Sequence, residues 1–388
     1  MASQELHTHN PSVLRRSHTL AVQQTSSDQN WQCGLHHSIH KSTSNHSGLN
    51  GLQATTPVSF TRSQTQPHRT LHKTDTNAQP KTYFLSVHHD GINAQYYLKR
   101  AASDRALNHH SRSSKPPTAK KIWKLTGSSI VNPESTYYSA QSNALFVSNV
   151  VGDELTKDGQ GWISKVSASG KILKSKWVEG LNAPHGMRAH DGTLWVADID
   201  ELVAIDMRSA RVITKIPVPG AAFLNDVAIS ENGQVFVSDT LKNCVYRYTN
   251  GRITKFAQGR ATESPNGLLA IGNTLIVAGW GHIQDPATFA TDVPGHVFQF
   301  DLSTKQKTRI TQTPLGNLDG IERGPSGNFL VSDYISKQVF SINPRSGEAN
   351  PLISDLNSPS DIGFIRHEQI VVVPDLYQSR VTAYKLFR

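Results

Sequence analysis

The residues in this chain whose types and spacing suit chemistry lie in six short turns. These are Pro133-Glu134-Ser135, Pro184-His185-Gly186, Leu224-Asn225-Asp226, Pro265-Asn266-Gly267, Leu318-Asp319-Gly320 and Pro359-Ser360-Asp361. Their middle residues, Glu134, His185, Asn225, Asn266, Asp319 and Ser360, are separated by 51, 40, 41, 53 and 41 positions. Brought to one place, they would crowd two carboxylates and two amides together. Like charges and buried dipoles would then be unmatched unless a cation sat among them. Glu134, Asn266 and Asp319 offer only oxygen donors, two of them anionic. That set suits one divalent ion, Ca²⁺ first, with Mg²⁺, Zn²⁺ and Mn²⁺ as the other options. An ion held with open positions is a Lewis acid toward a carbonyl and acidifies a bound water.

Asn-Gly and Asp-Gly are ordinary turn formers, so Asn266-Gly267 or Asp319-Gly320 alone would be read as a structural turn. Glu134 shifts the balance, because glutamate is a poor turn former and here follows proline in the same slot. His185, a lone histidine in the set, is a possible base, although such a residue is more often a packed or hydrogen-bonded side chain.

Convergence requires elements that repeat. After Lys120 the chain consists of short runs rich in Val, Ile, Phe, Trp and Tyr, punctuated by Gly, Asn and Asp, with none long enough for an amphipathic helix. Each turn leads through a strand to a second apolar strand, such as Leu145-Phe146-Val147 or Val235-Phe236-Val237, and then to a third. Five copies continue to a fourth, and the period is that of a propeller blade. The sixth copy ends at Tyr384-Lys385-Leu386, one strand short, while Ile122-Trp123-Lys124-Leu125 precedes the first turn and belongs to no blade. Pairing the two would close the ring and remove an exposed sheet edge. The expected fold is all-β: a six-bladed β-propeller over 118–388, with its N- and C-terminal strands closing the last blade. The innermost strands of a propeller line its channel, so the six middle residues should meet at one mouth.

With these residues in place, the domain from 121 to 388 resembles the gluconolactonase, senescence marker protein and regucalcin family of six-bladed propellers. The resemblance implies that Glu134, Asn266 and Asp319 hold a divalent metal and that Asn225, followed by Asp226, contacts substrate. It implies hydrolysis of a lactone, with Asp319 as general base beside its metal role and His185 as a second possible base. The sugar-lactone members carry an Arg two positions before the substrate Asn, and here that position is Phe223, followed by Leu224. An apolar ring cannot supply an arginine's hydrogen bonds, which favours a less polar ester or lactone. Two insertions, over 152–160 and 280–294, explain the long spacings, and loops at propeller mouths commonly shape the pocket. They make Asp153, Asp158, Trp280 and His282 candidate lid or substrate contacts.

Two other readings stand beside the hydrolase. A non-catalytic propeller could bind a small ligand or a protein at its mouth, but a scaffold has no need of converging oxygen ligands. The related strictosidine synthase-like group shares the architecture without this metal ring, and Glu134, Asn266 and Asp319 together argue against it.

The first 117 residues differ in character. Residues 1–120 carry 13 Lys and Arg against 5 Asp and Glu, and 13 of the 18 histidines, whereas the remainder has 26 basic against 25 acidic residues. The basic excess therefore lies outside the repeats, and nothing points the folded domain toward nucleic acid. With short apolar runs of no regular period, 1–117 is expected to be a disordered polar segment. Three readings of it stay open: a tail for an acidic partner, a targeting peptide, or sequence translated from a start codon placed too early, the last being favoured. His36, His37 and His40 near Cys33 lack a supporting carboxylate or register and read as part of a polar tract. No apolar core of a secretory signal is present, nor any run of 18 apolar residues, and the compartment stays open. Two cysteines, Cys33 and Cys244, form neither a disulfide framework nor a zinc set.

Overall fold

The computed structural model describes residues 117–387 and four strands upstream, and the chain divides into two units, Met1–Ser113 and Ser114–Arg388. In the first unit, His18–Gln24, Trp31–Cys33, Thr82–His89 and Ala94–Arg100 form an antiparallel sheet in the order second, first, third, fourth. Lack of period makes disorder the expectation for this segment, and these four strands are what is described within it. The register Leu20↔Leu85 joins segments far apart in sequence, a pairing that local periodicity does not reveal. The rest of the expected disordered segment, including His36, His37 and His40, lies outside the described residues.

The second unit is a six-bladed propeller. The innermost strands of the first five blades are Pro133–Ser139, Pro184–His190, Leu224–Ile229, Pro265–Ile271 and Leu318–Arg323, and Gly363–Ile365 is that of the sixth. Each blade is a four-stranded antiparallel sheet. The sixth is completed from the other end of the domain, as its missing strand predicted. Thr118–Thr126 pairs along Arg380–Phe387, with Trp123 opposite Ala383. Six large apolar clusters, one in each gap between neighbouring blades, and a small seventh of Val150, Ala183 and Ile199 form the core; Phe146 and Met187 fill the first gap, and Phe236 and Phe298 the third. Each fully buried Phe is worth roughly 1.5–3 kcal/mol of transfer free energy. Among the described residues no helix is long and apolar enough to cross a membrane.

What matters for the site is an irregularity repeated in the inner strands. In each of the first five blades, pairing with the second strand skips a step at the start: Pro133↔Asn149 is followed by Thr136↔Val147, and Pro265↔Gly279 by Leu268↔Val277. Two residues bulge opposite one, and the first of the two is the ring residue of that blade. The opposing residue is small, and where it is serine it bonds the bulge down. Ser238 accepts from Asp226 N–H at 2.9 Å and donates to the Asn266 carbonyl of the next blade at 2.7 Å. Ser332 accepts from Gly320 N–H and donates to the Ser360 carbonyl, both at 2.8 Å.

A second device holds the loop entering the bulge. The last residue of the second strand turns its side chain back to that loop: Asp198 accepts from Asn182 and Ala183 N–H, and Asp239 from Ala222 and Phe223 N–H. In these blades ring position is thus set by polar bonds within the blade and to its neighbour. Ser238→Ala should leave the buried Asp226 N–H unpaired and cost about 1–3 kcal/mol. Urea unfolding reads this directly, and an unchanged midpoint would remove the serine from the account.

Candidate functional site

The six bulged or strand-leading residues do converge. Glu134, His185, Asn225, Asn266, Asp319 and Ser360 are each at most 5% exposed, and all six line one cavity of about 430 Å³. The glycines after Asn266 and Asp319 are there for proximity, which corrects their reading as turn formers. Neither has a positive φ, and a Cβ on Gly267 would lie 2.0 Å from the Asp319 carbonyl oxygen. Adjacent inner strands meet so closely at the axis that a side chain at this point would collide with the next backbone. The first and last blades meet the same way, with Thr136 N–H donating to the Asp361 carbonyl at 3.1 Å and Asp361 N–H to that of Glu134 at 3.0 Å.

The chemistry of the ring lies in what its oxygens lack. Glu134 Oε2, Asn225 Oδ1, Asn266 Oδ1 and Asp319 Oδ1 are buried with no hydrogen-bond partner. Burial pushes the Glu134 carboxyl well above its ordinary range, and Asp319, Asp361, Asp226 and Glu154 push it further. Asp319 is raised by burial and then by Asp361, Asp226 and Glu154, with Asn266 opposing through a hydrogen bond. Among the described residues no three His, Cys, Asp or Glu side chains assemble as a metal cluster. The set here is two carboxylates and amide oxygens. Unpartnered, buried, hard and able to ionise opposite a cation, it fits a divalent ion of the Ca²⁺ class.

His185 occupies its slot differently. Its Nδ1 lies 2.7 Å from the Ala183 carbonyl, so the proton belongs on Nδ1 and the lone pair on Nε2. Burial lowers its pKa to about 4, against the opposing effect of that bond, and leaves the ring neutral at physiological pH.

Behind the ring sits a charged layer absent from the sequence reading. Arg188 lies 3.4 Å from Glu322 and 4.0 Å from Asp361, and its Nη1 donates to the Met187 carbonyl. Burial alone would lower the Arg188 pKa, but Glu322, Asp226 and Asp361 reverse the effect and raise it. Asp361 also accepts from Ser135 Oγ at 2.5 Å, while Asp226 accepts from Val227 and Leu268 N–H. The Arg188 guanidinium therefore faces Glu322 and Asp361 and is not among the residues lining the cavity.

The other wall is aromatic. Phe223 packs edge-on to His185 at 4.8 Å between centroids and against Phe289 at 5.3 Å; Trp280 meets Phe289 at 6.1 Å and Tyr334 at 5.6 Å, and Tyr334 meets Tyr377 at 6.3 Å. All five line the cavity with the ring. Phe289 is delivered by the fourth-blade insertion, which forms a hairpin of Gly281–Asp285 and Ala290–Pro294. Trp280 Nε1 donates to the Phe289 carbonyl at 2.9 Å, and Asn317 Nδ2 donates to both the Trp280 carbonyl and Thr291 Oγ1. The hairpin is thus fastened over the mouth.

Of the loop candidates, Trp280 lines the cavity and Asp153, Asp158 and His282 do not. Asp153 accepts from Leu155 N–H and Asp158 from Gln160 N–H, both local turn bonds, while His282 Nδ1 lies 3.1 Å from Arg260. The first insertion instead contributes Glu154. One signal could have located other lining residues. Thr240, Trp280, Tyr334 and Leu376 all directly follow the second strands of their blades.

No protein-family model matches the sequence, and no curated protein does. Among solved structures the chain is similar to a streptogramin B lyase, at 12% identity over 70% of this chain and 98% of that one, with a TM-score of 0.48. It is also similar to a catalytically inactive virginiamycin B lyase from Staphylococcus aureus with quinupristin, at 12% identity, 70% and 100% coverage and a TM-score of 0.49. A selenomethionine-substituted virginiamycin B lyase from the same organism gives 13% identity, 70% and 100% coverage and 0.47. At these identities the likeness is one of architecture.

The raised carboxyls carry a pH consequence for protein stripped of ions. A carboxyl whose pKa is higher folded than unfolded stabilises fully below the unfolded value, and that contribution is lost as pH rises through the folded one. Ion-free Asp319→Asn should therefore melt higher than wild type at neutral pH, by an amount that shrinks toward pH ~4, near the unfolded carboxyl pKa. Paired melting curves across that interval test it; a constant gap would contradict the assignment.

Proposed function

We propose that this propeller is a metal-dependent hydrolase of a lactone or related ester. The observation that carries the reading is the set of four buried side-chain oxygens without partners facing one cavity, on Glu134, Asn225, Asn266 and Asp319. Leaving such groups unpaired is costly, so a site that keeps four of them is supported as one completed by a ligand. The resemblance of the same positions to the gluconolactonase and regucalcin family supplies the reaction class.

Glu134, Asn266 and Asp319 would hold the ion. When bound, it supplies Lewis acidity toward a carbonyl and acidifies water. Asn225 is suited to orient substrate through its amide. His185, neutral with its lone pair on Nε2, is suited to accept a proton, and its Nδ1 bond to Ala183 fixes that tautomer. Asp319 is the other acceptor, as the resemblance implies. Phe223 and Phe289 stand beside His185 and the mouth, where they keep water from that side of the substrate and match a weakly polar acyl or alkoxy group.

Adding Ca²⁺, Mg²⁺, Zn²⁺ or Mn²⁺ should raise the melting midpoint of the wild type, and Glu134→Gln should reduce that rise. The absence of any shift would remove the main support. On a panel of lactones and aryl esters, His185→Ala should lower kcat by about 10²–10⁴-fold with a smaller change in KM. Ion binding without turnover of any member would instead identify a non-catalytic propeller that takes its ligand at the mouth.

A further inference from the structure

We propose that the cavity is built for a ligand bearing an organic cation, an amine or quaternary ammonium flanked by apolar groups, held between Glu154 and the aromatic wall. The inference rests on the preceding reading in one respect, that Glu134 and Asp319 share a divalent ion.

Charge balance is the first argument. Three carboxylates line the cavity, Glu134, Glu154 and Asp319, with no lysine or arginine among the lining residues. His185 is neutral. A divalent ion offsets two of the three charges, and the remaining one belongs to Glu154. Arg188 cannot answer it, being engaged with Glu322 and Asp361 behind the ring. A neutral or anionic ligand filling the cavity would desolvate Glu154 with nothing to compensate, whereas a cationic one would pair with it.

The second argument is independent of charge counting. Phe223, Phe289, Trp280, Tyr334 and Tyr377 form a continuous run of aromatic contacts along one side of the same cavity. Aromatic faces attract cations with weakly hydrated, alkylated heads, and the attraction grows as water is excluded. Glu154 acts electrostatically on Tyr334 of that wall as well as on Glu134 and Asp319, so its charge is felt by wall and ring alike. Burial and Asp153 raise the Glu154 carboxyl, and a bound cation would favour its ionised form.

The test compares two probes of one shape and different charge, choline and 3,3-dimethylbutan-1-ol, by calorimetric titration of the ion-loaded full chain at constant ionic strength. Choline is expected to bind at least ~10-fold more tightly. Glu154→Gln should bring the two probes to within about twofold while the ion-induced rise in melting midpoint persists. Equal affinity for the two probes in the wild type, or binding of neither, overturns the proposal without any variant having to fold. Loss of the ion-induced rise in Glu154→Gln also overturns it, since Glu154 would then be holding the ion. Neither readout requires turnover, so a failure of lactone hydrolysis and a failure of cation recognition are told apart.

Discussion

The closeness of six inner strands around one axis is the constraint on which the rest of the structure depends. Where the strands meet, no Cβ fits at Gly267, whose backbone runs against the Asp319 carbonyl. Five inner strands begin with a bulge, and the bulge brings a polar side chain to a shared cavity. Hydrogen bonding within the blades is then largely used up on backbone: Ser238 and Ser332 bond the bulges, and Asp198 and Asp239 hold the loops before them. The ring oxygens are what is left over, buried and unpartnered. Their poverty of partners follows from the same packing that fixes them in place.

That leftover is an electrostatic liability as well as an opportunity. Glu134 and Asp319 disfavour each other's charge, and Asp226 and Asp361 add to the repulsion despite Arg188. Arg188 opposes that repulsion from behind the ring, lowering the carboxyls of Asp226, Asp361 and Glu322, although burial still leaves all three raised.

The cavity is asymmetric for a related reason. The blades contribute unequally, the second only His185, whereas the fourth adds a hairpin that swings Phe289 against Phe223. The result is an oxygen-rich floor and an aromatic side wall, fastened by Asn317 and by the Trp280 bond to Phe289. In the proposed hydrolase, selection among substrates would reside in the hairpin and Glu154, and the shared chemistry in the ring.

The repeat was legible in the sequence because β structure of this kind is written locally. Alternating short apolar runs, turn residues in register and a missing sixth-blade strand matched by a spare one at 122–125 are enough to define six blades and their closure. Glu134, His185, Asn225, Asn266, Asp319 and Ser360 were legible too, since equal register implies equal position around a ring. Position within a pocket made by insertions was not. Nothing in the local pattern separates Asp153 and Asp158, which bond their own loop, from Glu154, which reaches the cavity, and the chain does not announce that Phe289 will meet Phe223 from another blade. The partners of Arg188 come from the fifth and sixth blades, so its burial as a counter-ion is likewise a tertiary fact. Sequence alone determined the repeating unit and the ring it implies, because these depend on periodicity. Only the folded chain decided which charges stay unpaired and which surfaces enclose them, because burial and distance are properties of neighbours that the linear order does not place side by side.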